Sequence, residues 1–186
     1  MAVESPSRIA PLVYYSLWLA LSRFDVGLCR ELEERHRVSV AKLERTKSAP
    51  VLSEFPVKEL LADLICSEFY KDIVWFAGEA AFSDMAGVDK KVLKLRFPAA
   101  LSGALKRLQH VLPGIATEVE DIGGGKVFRV RRSPFVIDGL GRQSCAFIGG
   151  FVTAAMLASG NSRFSAEESM CASMNPELSY CLFEMK

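Results

Sequence analysis

The hydrophobic period of the chain changes near residue 115, and this change constrains the fold more than any other feature. Before it, apolar side chains recur at helical spacing in two segments. Pro56 opens the first, which ends, with any continuation, at Gly87; Pro98 opens the second, which ends at Pro113-Gly114. After it, residues 115–122 and 126–132 carry the period of two that is typical of strands. The chain therefore has to combine helices with a sheet.

The C-terminal half contains two predicted hairpins with a helix between them. Glycines 123–125 separate the first two strand segments and indicate a tight connection. Residues 145–158 predict a helix with Ser144 as its N-cap, and residues 163–170 and 178–185 predict the second hairpin. The predicted fold class is α+β, an antiparallel sheet built from two hairpins and packed with several helices.

The N-terminal part is expected to be helical over residues 7–45. A linker is predicted from Lys47 to Phe55, because Pro50 and Ser53 interrupt the helical pattern. We therefore divide the chain into an N-terminal helical segment, residues 1–50, and a domain of residues 51–186.

Charge and hydropathy exclude several classes of protein. The net charge is +1, and half of the 186 residues are hydrophobic, which excludes a disordered chain and gives no reason to expect a nucleic-acid partner. The apolar stretches at 9–22 and 143–162 are too short or too polar for a transmembrane segment. Glu4 precedes the first stretch and argues against a signal peptide, so we expect a cytoplasmic protein.

Cysteine use points to the C-terminal region. The chain has five cysteines, an odd number that does not suit a disulfide framework. Cys145 lies in the first turn of the predicted helix, where the helix dipole favours a thiolate. Glu168 shares a strand face with apolar residues and should point inward, where a carboxylate needs a partner. With Cys171 and Cys181 these residues suit tetrahedral Zn²⁺; the alternative is that the cysteines are ordinary core residues.

The segment from Val127 to the end resembles the 4-vinyl reductase domain family. The resemblance is carried by Cys145-Ala-Phe147-Ile-Gly149-Gly150, Glu168-Ser-Met-Cys171 and Cys181-Leu-Phe183-Glu184. It implies the fold shared with TRAPP transport-particle subunits, and a structural zinc on Cys145, Glu168, Cys171 and Cys181. It also implies a pocket beside the zinc for a small hydrophobic ligand, aromatic or tetrapyrrole-like, and a setting in bacteriochlorophyll synthesis.

Two departures from the family pattern bear on these expectations. The loop from Cys171 to Cys181 is longer than usual and carries Asn175-Pro176, so it either returns Cys181 to the metal or breaks the site. The family's phenol sensors have a pocket tryptophan where this chain has its glycine turn, and its own tryptophans are Trp18 and Trp75. Phenol is therefore not the expected ligand.

Catalytic groups are not placed by any motif. His36 lies in a charged run and is expected to be solvated, and His110 lies near the end of a helix. Gly139-Leu-Gly141 lacks the third glycine of a dinucleotide fingerprint. We expect a non-enzymatic carrier, accessory or sensor protein that forms a homodimer or binds a partner protein. The alternatives are an interaction or assembly subunit and an enzyme of tetrapyrrole metabolism.

Two further groups of side chains allow more than one interpretation. Basic clusters at residues 90–96 and 129–132 are expected to be solvated faces, although Arg129 and Arg131 could pair with a carboxylate of a ligand or partner. Aromatic side chains on the helices, among them Trp18 and Phe69, suit the core, a ligand pocket or an interface.

Overall fold

The computed structural model describes residues 7–49, 53–86, 96–122, 125–138 and 140–186. Helices dominate the first part of the chain and strands the last. In chain order the elements are β1 (Ser7–Ile9), α1 (Pro11–Phe24), α2 (Val26–His36), α3 (Val40–Thr46), β2 (Ser53–Phe55), α4 (Val57–Leu64), α5 (Tyr70–Ala86), α6 (Ala99–Val111), β3 (Ala116–Ile122), β4 (Gly125–Arg131), α7 (Ala146–Ala158), β5 (Ala166–Met170) and β6 (Tyr180–Met185).

The main sheet has four antiparallel strands in the order β3-β4-β6-β5. Each predicted hairpin supplies two neighbouring strands, and β6 joins the hairpins by pairing with β4. The register places Cys181 opposite Val130 and Glu168 opposite Phe183. The α+β prediction and its two hairpins are confirmed.

Glycines allow α5 and α7 to pack backbone to backbone. A Cβ added at Gly78 would lie 2.0 Å from the carbonyl oxygen of Phe147, and one added at Gly150 would lie 2.1 Å from that of Trp75. Real side chains do not approach so closely, so these positions need glycine. Helix α7 is buried along most of its length and carries the apolar core between α5 and the sheet.

The predicted linker contains a strand. β2 pairs with β1 in a small antiparallel sheet, with Ser7 opposite Phe55 and Ile9 opposite Ser53. Three-residue strands are too short to show a period in the sequence, which is why the pattern of residues 7–45 indicated helix alone.

The long helix predicted after Pro56 is two helices, α4 and α5. Ser67 lies between them, and its hydroxyl accepts a hydrogen bond from the amide of Phe69 at 3.2 Å. The same hydroxyl donates to Asp25 at 3.2 Å. A serine that bonds its own backbone in this way competes with the helical hydrogen-bond pattern, and the helix ends there.

Helix α1 belongs to the same apolar core as the C-terminal elements. Trp18 and Leu17 are fully buried in a cluster that also contains Phe151 of α7 and Phe183 of β6. The division of the chain near residue 50 stays a prediction.

Several predicted features lie outside the described residues: the glycine turn at 123–124, the helix end at Gly87, Gly139 and the lysines at 90, 91 and 94. Among the described helices, none combines the length and hydropathy that a membrane span requires.

Candidate metal centre

Cys145 is the N-cap residue of α7, and its side chain is fully buried. Its carbonyl accepts the amide of Ile148 at 2.9 Å, as an N-cap carbonyl should. The predicted N-cap, Ser144, lies one residue earlier and its hydroxyl bonds that of Ser173 instead. The prediction of Ser144 was therefore wrong, and the N-cap of the helix is Cys145.

Cys181 lies on β6 and points to the buried face that it shares with Phe183. Its Sγ is 3.3 Å from Sγ of Cys145 and 3.8 Å from Sγ of Cys171. Thiolates bound 2.3 Å from a tetrahedral zinc lie roughly 3.8 Å apart, so these separations are close to those of a metal centre. The long loop after Cys171 does return Cys181 to the other two cysteines.

Cys171 follows the end of β5 and begins the turn that makes this return possible. Its carbonyl accepts the amides of Met174 at 3.0 Å and Asn175 at 3.2 Å. Its side chain is 2% exposed, and its Sγ lies 3.8 Å from the hydroxyl of Ser144. A backbone turn thus fixes the cysteine where the strand and the helix start meet.

Glu168 reaches the cluster from β5, and both carboxyl oxygens are buried without a hydrogen-bond partner among the described residues. Burial raises the pKa of this carboxyl to about 9. The strand is irregular between Glu168 and Met170, where the pairing with β6 shifts by one residue. A buried carboxyl whose nearest polar groups are the thiols of the same cluster is costly by itself, and a bound cation would stabilise it.

The four side chains converge on one point. The ligand atoms of Cys145, Glu168, Cys171 and Cys181 all lie within 4.8 Å of one another, so this group could hold a metal ion. Burial raises the pKa of the Cys145 thiol, whereas hydrogen bonds from the Cys145 and Cys181 thiols lower that of Cys171. In the chain without a metal, the desolvation of Cys145 outweighs the favourable effect of the helix start on a thiolate.

Buried serine hydroxyls surround the cluster, and no sequence pattern singled them out. The Cys145 thiol donates to the hydroxyl of Ser133 at 3.4 Å, and Ser144 lies beside Cys171. Ser173 accepts the amide of Ile137 at 3.0 Å and so ties the shell to the loop after β4. Serine is common in turns, and only the positions of Ser144 next to Cys145 and of Ser173 two residues after Cys171 hinted at this role.

Two further groups lie next to the cluster. The Tyr70 hydroxyl is buried without a partner in the described part of the chain, and its pKa is raised by burial and then by nearby Cys145 and Cys171. Gln143 donates to the backbone carbonyl of Glu168 at 2.7 Å. A small cavity of about 60 Å³ reaches Glu168 between Trp75 and Gln143.

The two histidines lie apart from this centre. His36 is not solvated as predicted: its side chain is 13% exposed, and its Nε2 lies 2.6 Å from a carboxyl oxygen of Asp63. Asp63 is brought there by α4, a contact that the sequence does not show. His110 is exposed on α6.

The arginines of β4 pair within the sheet. Arg129 lies 2.7 Å from Glu120, and Arg131 lies 3.5 Å from Glu118, both on neighbouring β3. The carboxylates that these arginines contact therefore come from the adjacent strand.

Comparison with known proteins shows the fold alone. No protein-family profile matches the chain, and no curated protein matches it. A solved structure that it resembles is an H-NOX protein from S. oneidensis in the Fe(II)NO ligation state. The two are 15% identical with a TM-score of 0.56, over 96% of this chain and 98% of the other.

This likeness corrects the interpretation of the C-terminal signature. The resemblance to the 4-vinyl reductase domain family was wrong, and the TRAPP-like fold and the bacteriochlorophyll setting that it implied lose their support. Short cysteine motifs cover only the last third of the chain, whereas the structural likeness extends over nearly all of it. The chain adopts the α+β fold of an H-NOX protein and carries a buried Cys₃Glu cluster that could hold a metal.

Proposed function

We propose that this protein is a non-enzymatic binding protein that holds one structural Zn²⁺ through Cys145, Glu168, Cys171 and Cys181. The observation that carries the proposal is the convergence of four ligand atoms within 4.8 Å in a buried place. Three soft sulfur ligands and one carboxylate suit zinc, and four protein ligands leave no open coordination position. The zinc is therefore structural rather than catalytic.

The zinc would link three elements that otherwise meet only through packing. Cys145 lies at the start of α7, Cys171 after β5, and Cys181 within β6. A bound cation supplies the partner that the Glu168 carboxylate lacks and keeps the thiols deprotonated. The binding free energy then contributes to folding.

Native mass spectrometry of protein purified without added metal tests the proposal. We expect a mass increment of one zinc per chain. Cys171→Ala should remove the increment and lower the melting temperature by about 10 °C. Cys66→Ala changes an exposed thiol and is the matched control.

Measurements in a chelator show whether Cys171→Ala is less stable because it lacks zinc or because its core packing has changed. In excess chelator the melting temperatures of the wild type and Cys171→Ala should converge, because neither then holds zinc. A metal-free wild type, or an unchanged melting temperature in Cys171→Ala, contradicts the structural role.

Neither histidine belongs to the four-ligand cluster, because His36 is held by Asp63 and His110 is exposed on α6. The cluster itself offers the soft donor set that suits zinc. We derive no function from iron, and the cavity of about 60 Å³ at Glu168 is too small for the aromatic or tetrapyrrole-like ligand expected beside the zinc.

Small-ligand binding remains the role that we propose for the protein as a whole. Support comes from the likeness to an H-NOX protein whose structure was solved in an Fe(II)NO ligation state, and from a surface groove large enough for a small molecule. Homodimerisation or binding of a partner protein stays a prediction. Chromatography at several concentrations tests it, and a ligand-free obligate dimer would favour an interaction subunit instead.

A further inference from the structure

A groove of about 550 Å³ lies on the side of the molecule formed by the ends of several helices. The start of α1, the residues after α3, the end of α5 and the last turns of α6 line it. This volume is within the usual range for sites that bind small organic molecules. The groove shares no lining residue with the zinc centre.

The apolar part of the groove is built from side chains that water does not solvate well. Leu12 and Met85 are half-buried there, and Val111 is buried. The amide of Ala10 donates to the carbonyl of Val111 at 3.0 Å, which fixes the start of α1 against the end of α6. The floor is therefore anchored by backbone, and an apolar ligand body can be desolvated against it.

The charged rim is mostly basic. Lys47 pairs with Asp84 at 2.8 Å and lies over the ring of Tyr15 at 4.6 Å, so its charge is already balanced. On α6, Lys106 and Arg107 line the same groove, and His110 lies one turn after Lys106. The rim thus places the ammonium of Lys106 and the imidazole of His110 on one edge of the groove.

We propose that this groove binds a small amphipathic carboxylate, with its apolar body on Leu12, Met85 and Val111 and its carboxylate at Lys106 and His110. An apolar floor with an ammonium and an imidazole at one edge matches a molecule that has a carboxylate at one end. The proposal deepens the ligand-binding role proposed above and is independent of the zinc. Both alkyl and aryl carboxylates share this chemistry, and the test separates them.

Decanoate and 2-naphthoate are the probes, titrated into the zinc-loaded full chain and followed by calorimetry and by amide NMR. Decanol and 2-naphthol are the uncharged analogues. We expect at least one carboxylate to bind with an affinity about tenfold higher than its alcohol, and to weaken as salt is raised. The carboxylate that binds more tightly identifies the shape of the ligand body.

Charge reversal locates the site. Lys106→Glu should weaken carboxylate binding by about tenfold while leaving binding of the alcohol unchanged. Lys42→Glu, an exposed lysine of α3 outside the groove, is the matched control and should change neither. Met85→Gln makes the floor polar and should weaken binding of carboxylate and alcohol alike.

Three results would overturn the proposal: no binding of either carboxylate at millimolar concentration, equal binding of carboxylate and alcohol, or equal affinity in Lys106→Glu and the wild type. Zinc content, measured on the same samples, reports separately on the metal centre. A chain that holds zinc but binds neither carboxylate refutes the groove alone.

Discussion

The contact between α5 and α7 and the cysteine cluster at the start of α7 are both buried, yet they are satisfied in different ways. At the helix contact, glycine backbone meets backbone, and Gly78 and Gly150 leave no space. At the cluster, Glu168 has no partner among the described residues, and thiols stand 3.3 Å and 3.8 Å apart. The helix contact is fully packed by the protein alone, whereas the cysteine cluster has a set of donor atoms that suits a bound cation.

The largest expected effect comes from filling the helix contact. Gly150→Ala places a Cβ against the carbonyl of Trp75, so the two helices must separate, and we expect a loss of about 3 kcal/mol in the free energy of unfolding. Urea denaturation measures it. Gly27→Ala is the control, because its nearest neighbour would be at an ordinary 3.8 Å, and it should leave stability unchanged or higher. Equal effects of Gly150→Ala and Gly27→Ala on stability would show that α5 and α7 do not pack backbone to backbone.

Glu168→Gln should change the stability of the protein in opposite directions with and without bound zinc. With zinc bound, the loss of the carboxylate should destabilise the protein by about 2 kcal/mol. With zinc chelated, the neutral amide should be better tolerated than the buried carboxyl, and stability should rise. Thermal unfolding with zinc and with chelator measures both. The same sign in both conditions would contradict a metal role for Glu168.

The serine shell should matter less. Ser144→Ala removes the hydroxyl that bonds Ser173, although Ser173 still accepts the amide of Ile137. We expect a loss of about 1 kcal/mol and a weaker hold on zinc, measured by competition with a chelator. Ser169→Ala, which changes an exposed hydroxyl on β5, should do neither.

The smallest effect belongs to the solvent face of the sheet. Arg131 is about half exposed and contacts Glu118 at 3.5 Å, so Arg131→Gln should change the free energy of unfolding by about 0.5 kcal/mol or less. Chemical denaturation measures it. A large loss there would show that the sheet depends on its charges as much as on its buried face.

The sequence predicted those features that depend on a local period. Alternation along β5 placed Glu168 inward, and it places Cys181 with Phe183 on the buried face of β6. The four candidate ligands were therefore found before their distances were known.

Features that depend on distant parts of the chain were not predicted. The His36–Asp63 contact and the pairing of β1 with β2 each join segments far apart in sequence. The family was misidentified because the same local signature can occur in more than one fold, and nothing local records the arrangement of the helices. Depth in the core, which raises the pKa of Cys145, is likewise a property of the whole fold.

The position of β6 has a consequence for how the protein is made. This strand is synthesised after the other strands that the structure describes, yet it lies between β4 and β5. Until residues 180–185 leave the ribosome, β5 has no strand beside it, β4 has one open edge, and the cysteine cluster lacks its third sulfur. The pairing of β6 with its two neighbours and the completion of the cluster by Cys181 then take place in the same late step.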